Sequence, residues 1–293
     1  MRYKLSAPAT LHTTIQLPAS KSISNRALIL HALAQGHIAP SNLSDCDDTR
    51  VMIKALDGNP GHIDILAAGT AMRFLTAYLS VTPGTRIITG TERMQQRPIR
   101  ILVDALRELG AQIEYAGKEG FPPLRITGTE LTGEEISLAG NVSSQYISAL
   151  LMIGPILKNG LRLNLTGEII SRPYINLMKE FGADAAWSSE SSITVRPGKY
   201  RDIPFTVESD WSGASYWYQM VALIQDNEKK ESTKTEIKLP GLLPRSYQGD
   251  SRGAEIFAKL GVHTTYTDQG VILTKMGTPV TCLKEDLVDI PDL

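Results

Sequence analysis

Apolar stretches of helical length recur along this chain, and they start after small or polar residues. Three segments share one order: a glycine turn, a polar loop, an apolar helix-favouring run, a stopping glycine, then β-branched or aromatic residues that favour a strand. The stopping glycines are Gly110, Gly182 and Gly261. They recur about every 75 residues, which predicts repeated copies of one packing unit.

A second series of helix starts runs between the first at the same spacing. Small or polar residues open each apolar run, at Gly69-Thr70, Ser143-Ser144-Gln145 and Asp210-Trp211-Ser212. With two helices in each repeat and strands between them, the predicted unit is βαβαββ. Helices with one apolar stripe need a sheet to cover, so the predicted fold class is α/β.

Composition excludes several kinds of function. The 293 residues are 42% hydrophobic and 21% charged, which is typical of a globular chain long enough for two domains. A net charge of −1 gives no global attraction for nucleic acid or acidic lipid, so any anion must be held by local Lys and Arg clusters. No apolar run approaches the roughly 20 residues of a membrane helix, and the N-terminus lacks a signal-like apolar region. We therefore expect a cytoplasmic protein.

Metal and disulfide chemistry is not indicated. Cys46 and Cys282 lie far apart without CxxC spacing, and the five histidines form no HxxxH or HExxH pattern. We expect no disulfide framework, no metal and no cofactor.

Basic and hydroxyl side chains gather at the predicted helix starts. Because helix N-termini carry unpaired N–H groups and partial positive charge, this pattern indicates seats for phosphate or carboxylate. The alternative is capped helices with solvated basic residues, with Arg73 paired to Asp47 or Asp48 and Arg93 in a turn. The candidate anion-binding residues are Lys21, Ser22, Arg26, Gly69, Thr70, Arg73, Arg93, Arg97, Ser143, Ser144, Gln145, Ser171, Arg172 and Tyr174.

Six motifs, in order and spacing, resemble those of 5-enolpyruvylshikimate-3-phosphate synthase (3-phosphoshikimate 1-carboxyvinyltransferase). They are PASKSISNRALILHALA, AAGTAMRFLTA, ERMQQRPI, SSQYISALLM, SRPYI and QGD. The resemblance implies transfer of the enolpyruvyl group of phosphoenolpyruvate to the 5-hydroxyl of shikimate 3-phosphate, in the shikimate route to aromatic amino acids. It also implies no cofactor, a monomer when complete, and two domains built of βαβαββ units.

The resemblance assigns roles residue by residue. Lys21 and Asp292 are implied as catalytic groups. Phosphoenolpyruvate is implied to contact Lys21, Gly69, Arg97 and Gln145. Shikimate 3-phosphate is implied to contact Lys21, Ser22, Arg26, Thr70, Ser143, Ser144, Gln145, Ser171, Tyr174 and Asp292. The sequence departs from many family members at Ala67 and Phe74, which flank the phosphoenolpyruvate loop.

The larger departure from the family is in length, because family members run past about 400 residues. The repeat also predicts that Asp292 opens a further helix, which is absent. We expect a complete second domain at residues 20–209, and a partial first domain made of residues 1–19 and 210–293 with its last units missing. The chain alone is expected to bind shikimate 3-phosphate weakly without turnover. The alternatives are a non-catalytic shikimate-phosphate-binding module and UDP-N-acetylglucosamine enolpyruvyl transferase, whose start motif and loop cysteine find no match here.

Overall fold

A computed structural model describes residues 11–58, 60–169, 175–224, 235–277, 279–288 and 290. The strands in these residues are β1 His12–Thr14, β2 His62–Asp64, β3 Gly84–Thr89, β4 Gln112–Tyr115, β5 Leu124–Gly128, β6 Glu134–Ala139, β7 Leu161–Thr166, β8 Ala185–Trp187, β9 Ser192–Val195, β10 Glu236–Pro240, β11 Val262–Thr267 and β12 Gly270–Lys275. The α-helices are α1 Lys21–Leu33, α2 Asp47–Leu56, α3 Gly69–Val81, α4 Glu92–Gln95, α5 Arg100–Glu108, α6 Ser144–Ile153, α7 Ile175–Glu180, α8 Trp211–Leu223 and α9 Gly253–Lys259.

Three four-stranded sheets share one connectivity, with strand orders β2-β3-β5-β4, β6-β7-β9-β8 and β1-β10-β12-β11. In each sheet the first two strands are parallel and the later pairs are antiparallel. A helix joins the parallel pair and a second helix precedes the antiparallel pair. The predicted α/β class and the βαβαββ repeat are therefore confirmed.

The chain divides into two compact units. Unit 1 is formed by residues 1–20 and 208–293 and contains the sheet β1-β10-β12-β11. Unit 2 is formed by residues 21–207 and contains the other two sheets. The rest of unit 2 contains α1, α2 and an isolated parallel bridge between Ser41 and Thr206. The described residues of unit 2 form two four-stranded sheets and no third one.

The core of unit 2 is built around α3. This helix is apolar nearly all round, which is typical of a helix packed on every side. It contacts α1, α2, α5 and α6, and Phe74 and Leu75 are fully buried. Full burial of one such side chain contributes about 1.5–3 kcal/mol. The packing therefore fixes the three long helices α1, α3 and α6 against one another.

The core of unit 1 lies between α8 and its sheet. Trp211 and Tyr218 on α8 pack with Leu239 and Leu273 on the strands. The start of α8 is fixed by Gln248, whose side-chain oxygen accepts from the Trp211 N–H at 3.0 Å and whose amide donates to the Ser209 carbonyl at 2.9 Å. The QGD motif thus has a structural role at this helix start.

Glu208 is a buried carboxyl group in unit 1. Its Oε1 accepts from Ser246 Oγ at 2.7 Å and from the Tyr247 N–H at 3.1 Å. Burial raises the pKa of Glu208 above its ordinary value of 4.5, because these hydrogen bonds offset only part of the desolvation. The folded state therefore binds the Glu208 proton more tightly than the unfolded state.

This raised pKa predicts a pH-dependent stability. The contribution of Glu208 is fully present below pH 4.5 and is lost as pH rises from there through the raised folded pKa. Glu208→Gln, which mimics the protonated carboxyl, should abolish this loss, and denaturant unfolding of both proteins from pH 4 upward measures it. The exposed Glu255 on α9 provides the control substitution Glu255→Gln. A wild-type-minus-variant difference that does not change with pH would show that Glu208 titrates normally.

Candidate active site

Lys21 is the first residue of α1, and its side chain is 48% exposed. Its Nζ lies 3.8 Å from Oδ1 of Asp48 in the first turn of α2. Thr49 Oγ1 donates to Asn25 Oδ1 at 2.8 Å, a buried hydrogen bond that holds α2 against α1. The start of α1 therefore presents an accessible ammonium group beside the half-buried Ser22 and the carboxylate of Asp48.

Arg26 lies one turn further along α1 and is only 5% exposed. Its guanidinium donates to the Ser22 carbonyl at 3.0 Å and to Ser148 Oγ on α6 at 3.1 Å. The guanidinium carbon also lies 5.1 Å from the ring centroid of Phe74 on α3. Arg26 thus contacts residues on both α3 and α6.

The starts of α3 and α6 meet at a side-chain hydrogen bond. Gln145 Nε2 donates to Thr70 Oγ1 at 3.2 Å across 75 residues of sequence. Ser143 caps α6 by accepting from the Gln145 N–H at 3.3 Å, and Ser144 is the first residue of the helix. Two helix N-termini, each carrying hydroxyl groups and positive partial charge, therefore face the same place.

Gly69 opens α3 beneath two guanidinium groups. A Cβ at Gly69 would lie 2.5 Å from Arg97 Nη1 and 3.1 Å from Arg73 Nη1. A side chain at position 69 would displace these guanidinium groups, because it would occupy the space that they take. A cleft of about 260 Å³ opens next to them and is lined by Ala67, Arg93, Met94 and Arg97.

Arg73 does not form the alternative ion pair considered above. Asp48 lies near Lys21 and Asp47 lies 3.9 Å from Arg50. Arg73 Nη1 instead donates to the Gly69 carbonyl at 3.0 Å. Burial lowers the pKa of Arg73, and the like charge of Arg97 lowers it further, although an arginine stays protonated at any physiological pH.

The structure brings most of the predicted residues to one end of three helices. The basic side chains there include Lys21, Arg73, Arg93 and Arg97. Among the described residues, Asp48 is the only acid that forms an ion pair with any of these four. Ser171, Arg172, Tyr174 and Asp292 lie outside the described residues, so their proposed roles stay predictions. The sequence analysis missed Asp48 as a partner of Lys21, and it missed Ser148 and Tyr146, which hold Arg26 and Arg73 through long-range contacts.

No group of three or more His, Cys, Asp or Glu side chains in the described ranges is arranged to hold a metal ion. Within the same ranges, no helix is both long and apolar enough to cross a bilayer.

An α/β fold of repeated βαβαββ units, with basic residues at neighbouring helix starts, is typical of a protein that binds a small anionic ligand. The chain belongs to the EPSP synthase (3-phosphoshikimate 1-carboxyvinyltransferase) family, which matches residues 5–58 and 59–293.

Individual relatives agree with this assignment. The chain is 69% identical to a 3-phosphoshikimate 1-carboxyvinyltransferase from Bacteroides fragilis, over 100% of this chain and 70% of the relative. It is 37% identical to the enzyme of that name from Pseudoalteromonas atlantica, over 98% of this chain and 72% of the relative. The fold matches an EPSP synthase structure from Acinetobacter baumannii with a TM-score of 0.74 and 21% identity, covering 90% of this chain and 64% of that one. The chain thus spans about two thirds of the length of these proteins.

The crowding around Gly69 predicts the effect of one added methyl group. Gly69→Ala should push the Arg97 guanidinium aside with little loss of stability, because the clash involves the far end of a flexible side chain. We expect the affinity for inorganic phosphate to fall about tenfold. The rise in melting temperature that phosphate causes measures this affinity.

The matched control is Gly61→Ala, since a Cβ at Gly61 meets nothing within 4 Å. Equal phosphate responses from the Gly69 and Gly61 variants would contradict a role for this helix start in anion binding.

Proposed function

We propose that this chain forms the shikimate 3-phosphate site, and part of the phosphoenolpyruvate site, of an enzyme that transfers the enolpyruvyl group between them. The observation that carries the proposal is the convergence of the α1, α3 and α6 starts, with their basic side chains, on one end of unit 2. Family membership supplies the reaction and the names of the substrates. It favours this reaction over that of UDP-N-acetylglucosamine enolpyruvyl transferase and over a non-catalytic module.

Shikimate 3-phosphate fits the starts of α1 and α6. It carries a phosphate, a carboxylate and ring hydroxyls, so it requires cations together with neutral hydrogen-bonding groups. Lys21 and Ser22 on α1 and Ser143 and Ser144 on α6 supply both kinds of partner. Each charge-assisted hydrogen bond of this kind contributes about 1.5–3 kcal/mol. Ser171 and Tyr174 are proposed to add contacts to the same substrate.

Phosphoenolpyruvate fits the cleft beside α3. Arg97 and the N-terminus at Gly69 offer a fixed charge and a helix-end dipole, and Gln145 reaches the same region through Thr70. Lys21 is proposed to contact both substrates. The cleft of about 260 Å³ is of a size that suits a small polyanion.

The reaction requires one proton donor and one proton acceptor. A proton adds to the methylene carbon of phosphoenolpyruvate while the 5-hydroxyl oxygen bonds to C2 and loses its own proton. A proton then leaves the resulting methyl group and the C2–O bond to phosphate breaks, which releases phosphate. We propose the Lys21 ammonium as a donor and Asp292 as the group beside the 5-hydroxyl. The surrounding cations stabilise the charge on the departing phosphate.

The remaining expectations are also part of the proposal. The enzyme is proposed to act as a monomer in the cytoplasm and to use no cofactor. Unit 2 is proposed as the domain that holds shikimate 3-phosphate, since every described residue assigned to that substrate lies within residues 21–207.

The proposal predicts selective binding of the phosphorylated substrate. Calorimetric titration should detect shikimate 3-phosphate binding to the 293-residue chain, with shikimate at least about tenfold weaker, because the phosphate supplies the charge-assisted contacts. Lys21→Ala should weaken the binding without lowering the melting temperature, since Lys21 is an exposed helix-start residue. Equal affinities for shikimate and its phosphate would contradict the proposed substrate.

Substitution of Arg97 is expected to affect the two substrates differently. Arg97→Ala should weaken phosphoenolpyruvate binding about thirtyfold, the equivalent of about 2 kcal/mol, and leave shikimate 3-phosphate binding within about twofold. Arg196→Ala serves as the control, because Arg196 is exposed, pairs with Asp184 and follows β9. If Arg97→Ala weakens both ligands to the same extent, Arg97 has a structural role instead.

A further inference from the structure

Arg73 carries a buried charge for which the described residues provide no carboxylate. It is 5% exposed, and its hydrogen bond to the Gly69 carbonyl leaves Nε without an acceptor. Its guanidinium carbon lies 5.8 Å from the ring centroid of Tyr146. Buried charges in proteins are almost always paired, since taking an unpaired charge out of water is strongly unfavourable.

The surroundings of Arg73 increase this unfavourable energy. Arg73 lies in the first turns of α3, the end of the helix that carries positive partial charge. The Arg97 guanidinium approaches the same side of Gly69 and adds a second positive charge. Burial is the largest cause of the lowered pKa of Arg73; Tyr146 offsets part of this effect, and the like charge of Arg97 lowers the pKa further.

Arg86 makes a useful comparison at the other end of the same helix. It is 4% exposed and donates to the carbonyls of Thr82, Pro83 and Gly84, which follow the last turn of α3. A cation is favoured at a helix C-terminus, where the carbonyls lack partners and the partial charge is negative. Among the described residues, Arg86 thus has three carbonyl acceptors at a negative helix end, although its Nε also lacks an acceptor. Arg73 has the Gly69 carbonyl and the Tyr146 ring, at a positive helix end.

We propose that Arg73 is a positioning residue whose buried charge is balanced by the anion that binds at Gly69 and Arg97. It holds the Gly69 carbonyl, which orients the first N–H groups of α3, and it adds positive potential without touching the ligand. The anion in question is phosphoenolpyruvate, so the inference rests on the proposed function. A buried charge that is balanced by the bound ligand lowers the stability of the ligand-free protein and raises its affinity for the ligand.

Thermal melting of three variants tests the inference, with phosphoenolpyruvate as the probe. Arg73→Met should melt no lower than wild type without ligand, because it removes an uncompensated buried charge, and its affinity for phosphoenolpyruvate should fall about tenfold. Arg73→Lys keeps the charge, so its affinity for phosphoenolpyruvate should fall by less than about threefold. Arg86→Met should melt well below wild type, with its phosphoenolpyruvate affinity within about twofold of wild type.

Several outcomes would overturn the inference. If Arg73 were structural, Arg73→Met would behave like Arg86→Met, so a lower melting temperature or failure to fold would overturn the inference. Three further results would overturn it. They are an unchanged phosphoenolpyruvate affinity in Arg73→Met, an Arg73→Lys variant that binds as weakly as Arg73→Met, and a wild-type protein that does not respond to phosphoenolpyruvate. Titration with shikimate 3-phosphate distinguishes the two proposals, because failure of wild type to bind that ligand contradicts the proposed function and leaves the melting comparison intact.

Discussion

This site depends on apolar packing that holds like charges close together against their mutual repulsion. Helices α1, α3 and α6 pack together through buried side chains, and their first turns bring basic residues and positive helix ends to one place. In the described residues only a few contacts offset this repulsion, such as those of Lys21 with Asp48 and of Arg26 with Ser148. The apolar core must supply the free energy that keeps them together until an anion arrives.

The repeated unit explains how the chain achieves this arrangement. In each βαβαββ copy a parallel pair of strands needs a crossover helix, and the same topology places the N-terminus of that helix at the same end of each sheet. Packing the copies side by side within unit 2 then gathers equivalent helix starts. Residues 75 positions apart, such as Thr70 and Gln145, can consequently form a direct hydrogen bond.

Local sequence was sufficient for the repeat and for the polar helix starts, because both follow from periodicity, glycine stops and capping residues. The helices predicted to open at Gly69, at Ser143-Ser144 and at Asp210-Trp211 begin at Gly69, Ser144 and Trp211. Partners across long sequence separations were not accessible in this way. Arg26 contacts Ser148 on another helix, and Lys21 rather than Arg73 lies beside Asp48, because tertiary packing decides which side chains meet.

A crystal structure of the chain with shikimate 3-phosphate would test the central claim most directly. The account predicts that the ligand lies in unit 2, with hydrogen bonds of about 2.7–3.2 Å to Lys21 or Ser22 on α1 and to Ser143 or Ser144 on α6. The same structure would show whether Arg26 keeps its contact with Ser148. A ligand bound away from these helix starts, for example in unit 1, would contradict the account.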